Sequence, residues 1–146
     1  MQTVRALLKA KGGHVYSVSP LESVFDAIRI MADKEIGALL VMQEGHPVGI
    51  VSERDYTRKV ILRDRASKQT RVSEIMTCDV ITVTPDDHLE QCVALMRKHH
   101  IRHLPVMEEG KVLGVLSLRD LFAAIIDEQQ HAIEHLEHYV KEQGGR

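Results

Sequence analysis

Two stretches of this 146-residue chain, VGIVSERD at 48–55 and LGVLSLRD at 113–120, are nearly the same eight residues written 65 positions apart. The likeness extends well beyond them. Residues 15–56 superpose on 80–121 without a gap, with 14 identities in 42 positions, among them Pro20, Met31, Gly45, Gly49, Ser52, Arg54 and Asp55. Substituted pairs keep their character, as Val48 does with Leu113 and Ile50 with Val115. A gap-free internal repeat of this density restricts the chain to two similar units. The expected division is 1–72, a first repeat with an N-terminal segment, and 73–146, a second repeat with a C-terminal helix.

Each copy reads as β-α-β-β-α. A short apolar strand (VYSV, 15–18; VITV, 80–83) runs into Ser19-Pro20 or Thr84-Pro85. Ser or Thr followed by Pro predicts a helix N-cap and first helical position, with Glu22 and Asp87 completing a capping box. Leu21, Val24, Ile28 and Met31 then fall on one helical face, as do Leu89, Val93 and Met96. ALLVM and HLPVM predict buried strands, and Glu44-Gly45 and Glu109-Gly110 hairpin turns. Ser52 and Ser117 each open a second helix. One such sheet is marginal in water. The expected fold is therefore α+β, with the two repeats packed sheet to sheet around a pseudo-twofold axis. After Asp120 a long helix is predicted, ending at Gly144-Gly145. Its apolar stripe of Leu121, Ile125, Ile133, Leu136 and Val140 exceeds what one half-domain needs, so it is expected to pack on a second subunit.

Composition removes several functional classes. Aromatic residues make up 3% with no Trp, which leaves little for stacking RNA bases. A formal charge of −2 provides no general attraction to DNA or anionic membranes. The polar N-terminus does not read as a signal peptide, and no run approaches the ~18 apolar residues of a membrane span. Cys78 and Cys92 lack redox or metal spacing and are read as reduced thiols of a cytoplasmic protein. His131, His135 and His138 lie at helical spacing among Gln and Glu without an H-E-x-x-H pattern, and are read as a solvated face, so no metal site is expected. The basic run from Arg58 to Arg71 is likewise read as solvated surface, and Lys9 and Lys11 as within reach of a phosphate at most. No Ser/His/Asp grouping, carboxylate pair or P-loop is visible, so catalysis is not expected.

The repeated S-x-R-D admits two readings. In one it is only a capping box, Ser accepting from the first turn and Asp reaching back. In the other it holds a nucleotide. A carboxylate accepts from both hydroxyls of a ribose diol. A helix N-terminus with a Ser hydroxyl suits a phosphate, and the Arg adds a forked donor. The strand glycines Gly49 and Gly114 permit close approach of another group.

The ordered set G-x-x-x-G-[IV]-[VL]-S-x-R-D, preceded by IGALLV or IRHLPV and joined by VSEIMT, resembles the CBS domain, named for cystathionine β-synthase. The resemblance spans about residues 3–125. It implies a tandem pair that binds adenine-containing ligands (AMP, ADP, ATP, NAD or S-adenosylmethionine) in two clefts and that pairs into a flat homodimer. Carried onto this chain, Asp55 and Asp120 hold ribose, and Ser52, Arg54, Ser117 and Arg119 hold or flank phosphate. Gly37, Ala38 and Leu39, with Arg102, His103, Leu104 and Pro105, wall the base, and Ser17 and Thr82 contact adenine. Because Arg102, His103 and Pro105 face Gly37, Ala38 and Leu40 in the alignment, the clefts are expected to differ, a mononucleotide suiting Asp120 and a larger ligand the Gly37 side. The implied function is a regulatory adenine-nucleotide sensor, with AMP first and NAD or ATP next, acting on an unidentified protein partner. The alternative is a dimerising adaptor with empty clefts.

Overall fold

The computed structural model describes residues 2–12 and 14–144. Helix α1 (Val4–Lys11) precedes the first copy, which comprises β1 (Ser17–Val18), α2 (Val24–Lys34), β2 (Ala38–Gln43), β3 (His46–Ser52) and α3 (Glu53–Lys59). The second copy comprises α4 (Leu89–His99), β4 (His103–Glu108), β5 (Lys111–Ser117) and α5 (Leu118–Gly144). The fold is α+β with two small sheets and a long C-terminal helix, whose expected end at Gly145 lies outside the described residues.

The hairpins form as the sequence predicts. Glu44 and Gly45 have φ of 51° and 79°, Glu109 and Gly110 of 50° and 78°, so both central residues are left-handed, as a two-residue type I′ turn requires. Register follows from the turn: Gln43 pairs with His46 and Glu108 with Lys111, with an irregularity at Val41/Met42 repeated at Val106/Met107. β1 lies parallel to β2; in the second copy it shrinks to one bridge, Val83 to Val106.

The predicted helix starts at Ser19 and Thr84 are corrected. Glu22 does accept from the Ser19 N–H at 3.1 Å, and Asp87 from that of Thr84 at 2.8 Å, but each pair closes a separate turn. α2 begins after Ser23, whose Oγ accepts from Asp26 N at 3.1 Å, and α4 begins after His88. Leu21 consequently falls in the turn and is 68% exposed, off the apolar face assigned to it.

There are two cores, one per copy, and each is sealed by the segment that precedes the other copy. Val72 and Ile75, just before the second copy, join Val18, Val24, Met31, Leu39, Val41 and Val51 in the first core. Val4 and Leu7 of α1 join Leu89, Cys92, Met96, Leu104, Leu116 and Leu121 in the second. The crossing is fastened by backbone bonds, Val4 N to Asp87 O and Leu89 N to Gln2 O on one side, Val24 N to Thr70 O and Val72 N to Glu22 O on the other.

The strand glycines serve this crossing. A Cβ on Gly49 would stand 2.9 Å from the Thr77 carbonyl oxygen and 2.8 Å from Met76 Sδ, and one on Gly114 would stand 2.7 Å from Leu8 Cδ2. The group that approaches is the sealing segment, not a ligand. Gly49→Ala should therefore destabilise by about 1–3 kcal/mol, as overpacking does. Gly114→Ala should cost less, because a leucine methyl swings aside more easily than a backbone carbonyl; urea unfolding of the two variants checks the order.

Candidate functional site

The two S-x-R-D turns are built alike. Ser52 Oγ accepts from Asp55 N at 3.2 Å, while Asp55 Oδ2 accepts from Ser52 N at 2.9 Å. Ser117 Oγ accepts from Asp120 N at 3.1 Å, and Asp120 Oδ2 from Ser117 N at 2.8 Å. Both aspartates thus complete capping boxes, in full agreement with the plainer reading. Their surroundings are what differ.

Beside Asp55 lies a cavity of about 560 Å³ shared by the two copies. The first copy contributes Gly37, Ala38, Ser52, Arg54 and Asp55; the second contributes Arg102, His103 and Pro105. The copies touch at its edge, where Arg54 Nη1 donates to His100 O at 3.2 Å and a Cβ on Gly37 would come 3.3 Å from His103 Cε1. Side chains alternate along a strand, so Ala38 and Leu40 turn away from the first core, and His103 and Pro105 away from the second. For the same reason Leu39 and Leu104, expected to wall the base, are absent from the cavity lining. They are 1% and 0% exposed and belong to the two cores. Ser17 and Thr82 are exposed and outside the lining, which passes instead through Val80 and Ile81.

The sequence reading missed Arg58, Lys59, Thr77, Asp79 and His100 in this lining. Arg58 was legible, since it follows Arg54 by one helical turn. Thr77 and Asp79 come from the linker and carry no local signal. Lys59 Nζ pairs with Asp55 Oδ1 at 3.1 Å and donates to Ile75 O at 2.8 Å, leaving Arg58 exposed at the rim.

Ser117, Arg119 and Asp120 lie outside this cavity, and Asp120 meets a cation from across the chain. Lys11 Nζ stands 2.6 Å from Asp120 Oδ2 and donates to Val115 O at 2.6 Å. In the first copy the matching carbonyl, that of Ile50, takes a backbone N–H from Thr77 at 2.9 Å. Burial raises the Asp120 carboxyl, but the bonds from Lys11 and from the Ser117 N–H outweigh it and hold the group below the usual carboxylate range. His103 lies close to the same charges. Burial first, then the Lys11 ammonium, push its imidazole down to about 4 against the pull of Asp120.

This arrangement offers a carboxylate, a helix N-terminus, guanidinium groups and an aliphatic wall, the components of a site for a sugar phosphate joined to a flat base. Among the described residues no group of three or more His, Cys, Asp or Glu is placed to hold a metal ion, and no helix is long and apolar enough to cross a membrane. His131, His135 and His138 are exposed on α5, with His138 Nε2 3.0 Å from Glu142.

The CBS domain family matches residues 12–61 and 72–127, and the chain belongs to that family. It is 35% identical over 152 residues to the CBS domain-containing protein CBSX3, mitochondrial, of Arabidopsis thaliana, covering 98% of this chain and 73% of that one. The CBS domain-containing protein YhcV of Bacillus subtilis (strain 168) is 32% identical over 107 residues, 73% of this chain and 76% of that one. The solved structure of a CBS-domain protein from Burkholderia ambifaria MC40-6 superposes with a TM-score of 0.85 at 48% identity, over 88% of this chain and 96% of that one. CBS pairs are in general regulatory or signalling modules that bind adenosine ligands.

The half-buried His103 imidazole predicts an acid response. His103 takes its proton near pH 4 when folded and near 6.5 when unfolded, so the unfolded chain binds more protons between those values. The stabilisation is whole above about pH 6.5 and is lost as pH falls towards 4, amounting to about 3 kcal/mol across the window. Chemical denaturation at pH 7 and pH 5 should show this decline, and His103→Gln should flatten it.

Proposed function

We propose that this chain is a ligand sensor in which the cavity beside Asp55 takes an adenine nucleotide and reports its presence through the relative orientation of the two copies. One observation carries the reading: a capped helix start with a carboxylate and two arginines opens onto a cavity whose far wall belongs to the other copy. A ligand there touches both copies and so discriminates between their arrangements, which is the requirement for shifting them. Asp55 takes the ribose hydroxyls; Arg54 and Arg58 serve the phosphate; Ala38, Ile81 and Pro105 provide the aliphatic wall against which the base packs. AMP fits this set, and the exposed Arg58 favours a longer phosphate chain or a dinucleotide, as in ATP or NAD. The chain then acts without chemistry of its own, as a cytoplasmic homodimer passing the change to a protein partner.

The second helix start is the weaker candidate: Ser117, Arg119 and Asp120 lie outside that cavity, and Lys11 neutralises Asp120 through the same Oδ2 that caps the helix. Isothermal calorimetry with AMP, ATP and NAD should give one site per chain. Asp55→Ala should weaken binding by about 1.5–3 kcal/mol, the range for bonds to a charged group. Lys11→Ala should leave the first site intact and raise the stoichiometry towards two.

The competing reading is an adaptor without ligand, and one observation favours it: both aspartates spend Oδ2 on their own capping boxes. Thermal shift separates the two. Ligand at about 100 times its dissociation constant should stabilise a sensor by roughly 2.7 kcal/mol. No shift with AMP, ADP, ATP, NAD or S-adenosylmethionine would leave the adaptor.

A further inference from the structure

The family match ends at residue 127, yet α5 runs on to Gly144. Over its first turns α5 lays Leu121 and Ala124 into the second core, with Ile125 packed against it. Phe122 and Ile126 point away, at 49% and 61% exposure, and begin a row that continues as Ile133, Leu136, Tyr139 and Val140. Ile126, Ile133 and Val140 recur every seven residues, and Phe122, Gln129 and Leu136 recur every seven in the companion row. These are the a and d positions of a heptad, with β-branched residues at a.

Charge is partitioned by the same repeat. Asp127, Glu128, Glu134, Lys141 and Glu142, and the three histidines, all occupy b, c or f on the opposite side. Along the seam the flanking e and g positions carry Gln130, Ala132, Glu137 and Tyr139, so Glu137 is the only charge there. A neutral seam is self-complementary, which a twofold contact between identical surfaces requires. In a parallel pair Glu137 at e meets g of its partner, where the residues are Ala and Tyr, and an antiparallel overlap centred on Ile133 sets it against Gln130, so charge opposes neither; β-branched residues at a with Leu136 at d are the pattern of parallel two-stranded coils. The size is also sufficient. Six large side chains presenting roughly 100 Å² each give about 1,200 Å² for the pair, the lower end of stable specific interfaces.

We infer that the α5 extension of this chain pairs with α5 of a second copy as a parallel, in-register two-stranded coil, with Ile126, Ile133, Leu136 and Val140 at its centre. Most of this contact, from Ile133 onward, lies beyond residue 127, where the family match ends, and it gives the homodimer of the proposed function a definite element and orientation without depending on whether a nucleotide binds.

Sedimentation equilibrium of the full chain tests it. The wild type should be dimeric at about 10 μM, and Ile133→Asp with Leu136→Asp should weaken association at least ~100-fold, about 2.7 kcal/mol. Both positions are exposed, so the circular dichroism melting of the body should be unchanged. Orientation is read from Val140→Cys in a Cys78→Ser background. In the parallel coil the two thiols face one another and oxidise to a covalent dimer, whereas in an antiparallel coil they stand about 20 Å apart. A monomeric wild type, or a double variant that dimerises as tightly as the wild type, would overturn the pairing. A dimer lost in the double variant but not cross-linked through Cys at 140 would overturn the parallel arrangement. Loss of nucleotide binding alone touches neither result.

Discussion

A sheet of two or three short strands with a pair of helices cannot exclude water from its own interior, and the rest of the molecule follows from how this is solved. The strip that seals each core is borrowed from the chain preceding the other copy: Val72 and Ile75 for the first, Val4 and Leu7 for the second. Of the two strips, α1 is the one that reaches across, from the N-terminal side of the first copy into the second core. The outer face of each sheet is thereby held against its neighbour, and the cavity beside Asp55 is the space left where the two faces do not fill each other. Gly49 and Gly114 belong to this arrangement, since the sealing segments pass where their side chains would be.

Crossing also explains how a symmetrical duplication comes to have unequal sites. The carbonyls of Ile50 and Val115 occupy matching places, yet one receives a backbone N–H from Thr77 and the other the ammonium of Lys11. The two sealing strips have different sequences, and one brings a cation to within 2.6 Å of Asp120. Divergence outside the repeat proper thus alters a site inside it. His103 feels the same charge, and its preference for the neutral form is a consequence of where α1 docks as much as of its own burial.

Capping and binding draw on the same groups without contradiction. A serine and an aspartate that secure a helix start hold its N-terminal dipole and one carboxylate edge in a fixed place. The capping box spends Oδ2 of Asp55 on Ser52, while Oδ1 pairs with Lys59 beside the cavity. A preorganised carboxylate of this kind serves stability whether or not a ligand arrives, so the motif by itself does not distinguish a sensor from an adaptor; the proposed sensor rests on the cavity beside it.

Local order was legible in the sequence because it rests on interactions within a few residues. The duplication, the element order, the hairpin turns at Glu44-Gly45 and Glu109-Gly110, the caps at Ser52 and Ser117 and the length of α5 all follow from neighbours along the chain. Where two local signals competed, the reading slipped: Ser19-Pro20 looked like a helix start, but Ser23 held the cap. Tertiary structure alone decided which side of each strand met the core. A period of two separates Leu39 from Ala38 and Leu104 from His103 without saying which set faces inward. It alone placed α1 on the distant copy, brought Lys11 to Asp120 across 109 positions, and set linker residues Thr77 and Asp79 in the cavity wall. Contacts of that range are chosen by how whole faces pack, and no short stretch of residues encodes them.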